Sequence, residues 1–450
     1  MKNFDKTVKK YIPPKKEWTS AERAVYGVNN LFDVPNDKAK KLQFNAIKYQ
    51  FKNHFKNNRI YHGFCKEKDF SPDDLKSYED LEKIPLLPAD FFKDYPSGKD
   101  FATWLGNMFT TDLPKIKISG KNPNYDDVIE SFNSAGMKVT YSSGTSGRHT
   151  FIPRDKRTFN MAEYLLAKVA ATMYYPFWEY DMYGYLLMPN PFKTNVFAGR
   201  GLEIYFDAVK DVQVAIDRKV NTEVIRTSMR RGRGGLRGKI MSFFMKRMYK
   251  NMVKKIIEWL EIHEKNKDHK ITLFGAPWIL YMVMKKLKEE NRRFDFENRG
   301  LVGTGGGWKV HEHKRISVSD FRKMVKDVLG IKSEHCLDLY GMVEGNGWMI
   351  HCPEGHYLHV PYTYYHPMVL DEEFKPVGYG EYGRFAFLDG TTFSYPGFVV
   401  SGDRVKLLKR CPVCDRPGPV LEPEVKRAKK QEMRGCAEEM RRMISSDIGD

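Results

Sequence analysis

The sequence predicts an α/β fold built on a largely buried sheet, on three observations. Strand-like apolar runs recur at residues 183–188, 271–274, 301–303 and 336–340, with helical stretches between them. From 357 to 409 the pattern turns to short β segments broken by Gly378, Gly380, Gly383, Gly390 and Gly397, as in a small barrel or meander. With 450 residues, 41% hydrophobic and 14% aromatic, the chain can bury a large core and divide into two or more domains or subdomains.

Residues 1 to about 95 read as helical, with breaks at Val34-Pro35 and Ile84-Pro85-Leu86-Leu87-Pro88. Lys138-Val139-Thr140-Tyr141 reads as a strand and 157–173 as a helix, so the segment between joins a strand to a helix. Eleven arginines and lysines, and no acid, fall between Arg226 and Ile257. The first half of that segment is glycine-rich. The second, 240–260, sets Phe244, Met248, Met252 and Ile256 at i+4 steps and predicts an amphipathic basic helix. Its lysines are either a solvated face on a helix packed by its apolar stripe, or an attraction for an anionic membrane surface or acidic partner. Nucleic acid is not expected as a partner despite the net charge of +18, because no nucleic-acid module accompanies the charge. No apolar run approaches the ~18 residues of a membrane span, and no apolar stretch follows the basic N-terminal residues. Six scattered cysteines suit a reducing compartment, and the expected location is cytoplasmic.

Six sets of residues carry chemistry. In Tyr141-Ser142-Ser143-Gly144-Thr145-Ser146-Gly147, two glycines let backbone N–H groups approach phosphate oxygens, and Ser142, Ser143, Thr145 and Ser146 add hydroxyl donors. The same stretch read alone is a Ser/Gly surface turn, and it lacks P-loop spacing. Gly303-Thr304-Gly305-Gly306-Gly307-Trp308 puts a glycine-lined turn at a strand end, where a flat heterocycle or nothing at all sits. Leu339-Tyr340-Gly341-Met342-Val343-Glu344 delivers an aromatic and a carboxylate; near a triphosphate, that carboxylate would hold Mg²⁺. In Ser401-Gly402-Asp403 the acid either accepts from ribose hydroxyls or makes an Asx-turn. The basic stretch Arg427, Lys430, Arg434, Gly435 ends in Cys436, whose cationic neighbours favour thiolate. Cys411-x-x-Cys414, with Cys352 and either His356 or His359, offers a tetrahedral S₃N zinc set, or else four reduced residues in turns.

Together and in this order, the motifs resemble the adenylate-forming superfamily of acyl-CoA synthetases and related ligases, over residues 138 to 436. Cys352-Pro353-Glu354-Gly355-His356-Tyr357-Leu358-His359 and Cys411-Pro412-Val413-Cys414-Asp415-Arg416 look like the phenylacetate-CoA ligase branch. Gly305-Gly306-Gly307-Trp308-Lys309, Leu358-His359-Val360-Pro361 and Glu432-Met433-Arg434-Gly435-Cys436 look closer still to the acyl-protein synthetases of bacterial luminescence operons, the LuxE family.

The resemblance implies the N-terminal domain of an adenylate-forming enzyme, with multi-layer sheets and helices plus a small β-barrel. It implies ATP with its phosphates at Ser142, Ser143, Gly144, Thr145, Ser146 and Gly147. Adenine would lie against Gly305, Gly306, Gly307 and Trp308 beside Tyr340, with ribose on Asp403, Mg²⁺ on Glu344 and Arg427 at the hinge. Cys436 would take the acyl group as a thioester, for delivery to a partner acyl reductase. His359 is preferred over His356, with Cys352, Cys411 and Cys414, for structural Zn²⁺. The implied division is 1–403 for the adenylating domain, 404–425 for the CxxC segment and 426–450 for a hinge-like tail. There are two departures from the superfamily. The phosphate loop is followed by Pro153-Arg154, whose arginine could still offer positive charge to phosphate, where a lysine is usual. Only fourteen residues follow Cys436, too few for the usual C-terminal subdomain of ~100 residues. A phenylacetate-type CoA ligase, or a non-catalytic basic zinc-containing binding protein, are the competing expectations.

Overall fold

The computed structural model describes residues 2–144, 148–174, 181–229 and 236–428. Its centre is a run of apolar strands: β4 (Tyr183–Pro189), β5 (Lys210–Ile216), β6 (Ile271–Gly275), β7 (Gly300–Gly305) and β8 (Cys336–Tyr340). They pair in parallel in the order β5-β4-β6-β7-β8. Helices Leu236–Lys265, Pro277–Glu289 and Val318–Leu329 make the crossovers into β6, β7 and β8. The helix before β8 is bounded by local chemistry: Ser317 Oγ accepts from the Asp320 amide at 3.0 Å, and Gly330 closes the C-terminus at φ 68°. All six residues of β7 except its last are buried, as a sheet covered on both faces requires.

The meander expected after 357 is present and continues this sheet. β9 (Met349–His351) runs antiparallel to β8, and β10 (Leu358–His359) runs antiparallel to β9. β11 (Tyr365–Leu370), β12 (Tyr382–Asp389) and β13 (Phe398–Leu408) follow as antiparallel neighbours, and β14 (Val420–Leu421) joins β13 to β10. Two short strands flank β13: β1 (Leu87–Pro88) and β15 (Lys426–Arg427). Helix Asn36–Asn57, from the N-terminal layer, is fixed to the meander by Gln43, whose amide donates to the Tyr362 and Tyr365 carbonyls at 2.9 and 2.7 Å.

In the basic segment, helix Leu236–Lys265 buries Met252, Ile256, Trp259 and Leu260 while Lys250, Lys254 and Lys255 stay exposed. That is the solvated face of a packed helix, the first of its two sequence readings. No described helix is long and apolar enough to cross a membrane.

The serine-rich segment departs from expectation. It joins two strands of a hairpin, β2 (Lys138–Tyr141) and β3 (Phe151–Arg154), and helix Lys156–Met173 starts only after them. The Arg154 guanidinium turns inward and is fully buried. It donates to Thr140 Oγ1 (2.7 Å), the Val343 and Gly345 carbonyls (2.6 and 3.3 Å), Tyr395 Oη (3.2 Å) and Asn346 Oδ1 (3.4 Å). The Phe197 ring lies 4.2 Å from its centre. A buried cation is tolerable only when its donors are met in this way. Arg154 thereby ties the hairpin to the 341–347 turn. A lysine, with three donors at one point, cannot span these acceptors. Arg154→Lys is expected to lower unfolding free energy by about 2–4 kcal/mol in urea denaturation. A loss below about 1 kcal/mol would show that the hairpin is held by other contacts.

Candidate active site

β7 and β8 end side by side, with Gly305 opposite Leu339, and open α/β sheets bind ligands in the crevice beyond such carboxyl ends. At the end of β7 the chain turns through Gly306 and Gly307, at φ 76° and 68°, a conformation glycine adopts without strain. Trp308 leaves this turn for the core, packed 5.2 Å from Tyr281 and 6.4 Å from Phe321. The flat surface at this strand end is therefore glycine backbone, and the indole is committed elsewhere.

From the end of β8, Tyr340 Oη donates to Asp403 Oδ2 at 2.7 Å, and Arg427 Nη1 lies 2.8 Å from Asp403 Oδ1. Backbone register supports this pair, because Asp403 of β13 stands directly opposite Arg427 of β15. Asp403 is 9% exposed, whereas the Arg427 side chain is 76% exposed. Three residues from separate sequence motifs are thus assembled around one carboxylate. Each carboxylate oxygen still has a lone pair for a further donor.

Glu344 sits in the turn between β8 and β9 and is buried. Burial holds its carboxyl above the usual range, opposed by the Lys93 ammonium and the Thr150 hydroxyl, with Asp403 adding repulsion. No ion pair to Glu344 is present among the described residues. A buried carboxylate beside a second carboxylate is a fitting donor for a divalent cation.

In the hairpin loop, Ser142 is spent on closure: its Oγ accepts from the Thr150 amide at 2.9 Å and its amide donates to the Thr150 carbonyl at 3.0 Å. The His149 Nδ1–H donates to the Ser142 carbonyl at 2.8 Å. Gly144, at φ 66°, has no room for a Cβ, which would stand 2.8 Å from His149 Nδ1. Ser143 and Gly144 lead out of this knot. Thr145, Ser146 and Gly147 lie outside the described residues.

Lys309 was not singled out as a site residue in its own right, although it ends a quoted motif. It directly follows the glycine turn, at φ 53°, and its Cε approaches the space beside Gly306. Burial, reinforced by repulsion from Arg427, pushes its ammonium down to about 8 against attraction from Asp403, Glu312 and Glu344. No hydrogen bond or ion pair holds it among the described residues. The signal available in the sequence was a cation next to a turn built for a nucleotide.

Cys352, His359, Cys411 and Cys414 also converge, in a second cluster that could hold a metal ion. His356 does not join them; its ring faces that of His351 at 5.9 Å. Cys65 and Cys336 are poor nucleophiles, since burial pushes both thiols up to about 12. Cys436, with the tail from residue 429, lies outside the described residues.

The model of the family described as "Acyl-protein synthetase, LuxE" matches residues 243–445. The long-chain-fatty-acid–luciferin-component ligase of Aliivibrio fischeri is 25% identical over 418 residues, 92% of each chain. That of Vibrio harveyi is 24% identical over 409 residues, 88% of this chain and 87% of the relative. Among solved structures, 2-hydroxyisobutyryl-CoA ligase in complex with 2-HIB-AMP and CoA superposes with a TM-score of 0.59. That match has 15% identity and covers 92% of this chain and 72% of the ligase. An open conformation of the same ligase gives 0.58 at 15% identity, over 90% and 73% of the two chains. The fold is shared with that ligase, and residues 243–445 are similar to the acyl-protein synthetase (LuxE) family.

Proposed function

We propose that the chain activates a long-chain fatty acid as acyl-AMP, passes the acyl group to Cys436, and delivers it to a partner acyl reductase. The observation that carries the adenylation reading is the convergence of Asp403, Tyr340, Arg427, Glu344 and Lys309 at the carboxyl edge of the sheet. The names of the full-length relatives supply the substrate class.

Ribose hydroxyls donate to Asp403, which Tyr340 and Arg427 hold in place. Adenine lies on the Gly305–Gly306–Gly307 backbone, and the triphosphate meets the loop that begins at Ser143 and Gly144. Glu344 is the residue that would hold Mg²⁺, whose chemistry when bound is to offset triphosphate charge. Lys309 adds a cation to the same charge. The fatty carboxylate oxygen attacks the α-phosphorus, the bond to the β-phosphate oxygen breaks, and pyrophosphate leaves. The Cys436 thiolate then attacks the acyl carbonyl carbon, and AMP departs with the electron pair of the broken C–O bond.

Two outcomes test this reading. Cys436→Ser should keep fatty-acid-dependent pyrophosphate exchange and carry no hydroxylamine-labile acyl group, while Cys65→Ser and Cys336→Ser label like the parent. Full acylation of Cys436→Ser would sink the thioester step, and acyl-CoA as product would favour the CoA ligase.

The second outcome is a pH profile. A lysine is charged below its pKa, so the Lys309 contribution should be present at pH 7 and fade as pH rises past about 8. In kcat/KM for ATP, which reports the free enzyme, Lys309→Arg should shift that alkaline limb to higher pH. Lys309→Met should lose roughly 10–100-fold at pH 7. An unchanged profile in both variants removes Lys309 from the mechanism.

A further inference from the structure

Cys352, His359, Cys411 and Cys414 serve no step of the proposed reaction, yet all four are buried, at 0%, 1%, 6% and 7% exposure. Their ligand atoms all lie within 4.8 Å of one another. Cys414 Sγ is 3.3 Å from His359 Nε2, and Cys352 Sγ is 4.0 Å from Cys411 Sγ. A tetrahedral zinc ion, with Zn–S of about 2.3 Å and Zn–N of about 2.0–2.1 Å, sets its ligand atoms about 3.4–3.8 Å apart. The two measured separations straddle that range. A disulfide between Cys352 and Cys411 would need about 2.05 Å.

The backbone around the cluster is already shaped to bring these ligands together. Cys352 follows β9, His359 lies in β10, and the CxxC pair occupies the link from β13 to β14. The Cys414 amide donates to Cys411 Sγ at 3.4 Å, a bond that stabilises a thiolate ligand. Arg416 pairs with Glu354 at 2.6 Å across the two arms. Gly355 gives room for Val413, since a Cβ at Gly355 would stand 2.6 Å from the Val413 Cβ. Strand register fixes His359 opposite both Ile350 and Val420.

We propose that these four side chains form a closed, tetrahedral zinc site. Three thiolates and an imidazole are a soft donor set that selects zinc over magnesium or calcium. With every position filled by protein, no place remains for water or substrate, so the ion is structural. It fastens the β9–β10 pair, which continues the Glu344 turn, to the distal end of β13, the strand that carries Asp403. The carboxylate for the metal–triphosphate and the carboxylate for ribose are thereby held in one frame.

Elemental analysis of the full chain, purified under reducing conditions without chelator, should find one zinc per chain. Cys411→Ser, Cys414→Ser and His359→Ala should each lose it and melt at lower temperature, as chelator-treated parent does. Should the variants be insoluble, cobalt added to the metal-stripped parent decides by itself. Tetrahedral thiolate ligation gives strong sulfur-to-cobalt absorption and intense visible bands. A parent that takes up neither zinc nor cobalt overturns the proposal. So does zinc retained in full by all three variants, or a Cys352–Cys411 disulfide found in the native protein.

Discussion

The guanidinium of Arg154 joins distant parts of the chain, from Thr140 on the hairpin to the Val343 and Gly345 carbonyls and Tyr395. Its burial is costly unless its donors are met, so it enforces the positions of all its acceptors together. Thr150 closes the hairpin on Ser142, and its hydroxyl favours the ionised Glu344 carboxyl.

β13 plays the matching part for the other half of the site. Along its eleven residues it pairs with β12, β14, β1 and β15. Asp403 therefore sits in one of the most cross-linked strands, with Tyr340 and Arg427 engaged on its two oxygens. Asp389, on the neighbouring strand, reaches the other way: its carboxylate accepts from the Asn346 and Gly347 amides at 2.6 and 3.1 Å. The turn carrying Glu344 is thus held by Arg154 at its carbonyls and by Asp389 at its amides. Both ends of a flexible-looking glycine turn are fixed by buried charge.

Much of this was legible in the sequence, and the exceptions share a cause. The parallel strands were readable because burial on both faces leaves unbroken apolar runs, as in β7. Tyr340, Glu344, Asp403 and Arg427 were readable because each stands beside a glycine or at a strand end. The inward packing of Arg154 and Trp308 was not legible, because residue type says what a side chain can do and not which way it points. Arg154 lies in a strand whose four residues are all buried, so its charge had to face protein. Trp308 turned to the core because Tyr281 and Phe321 offer it apolar partners. The hairpin was missed because Phe151-Ile152-Pro153 is too short a run to separate from the start of the following helix. The choice of His359 over His356 rested on the resemblance. In the structure β10 aims His359 at the cysteines, and His356, at φ 57°, sits in the tight turn before it.

The chain also limits where the acyl acceptor can act. Arg427 is fixed opposite Asp403 by the β13–β15 pairing, and Cys436 is nine residues further on. At 3.3–3.6 Å per residue, nine residues reach at most about 30 Å. Whatever path the tail takes, its cysteine stays within that radius of Arg427, the partner of the ribose carboxylate. A free thiol acceptor would have to find the acyl-adenylate by diffusion, whereas a tethered one is present at high effective concentration. In the proposed reaction, the same pairing that positions Arg427 on Asp403 would anchor the acceptor arm, and adenylation and acyl transfer would share that attachment point.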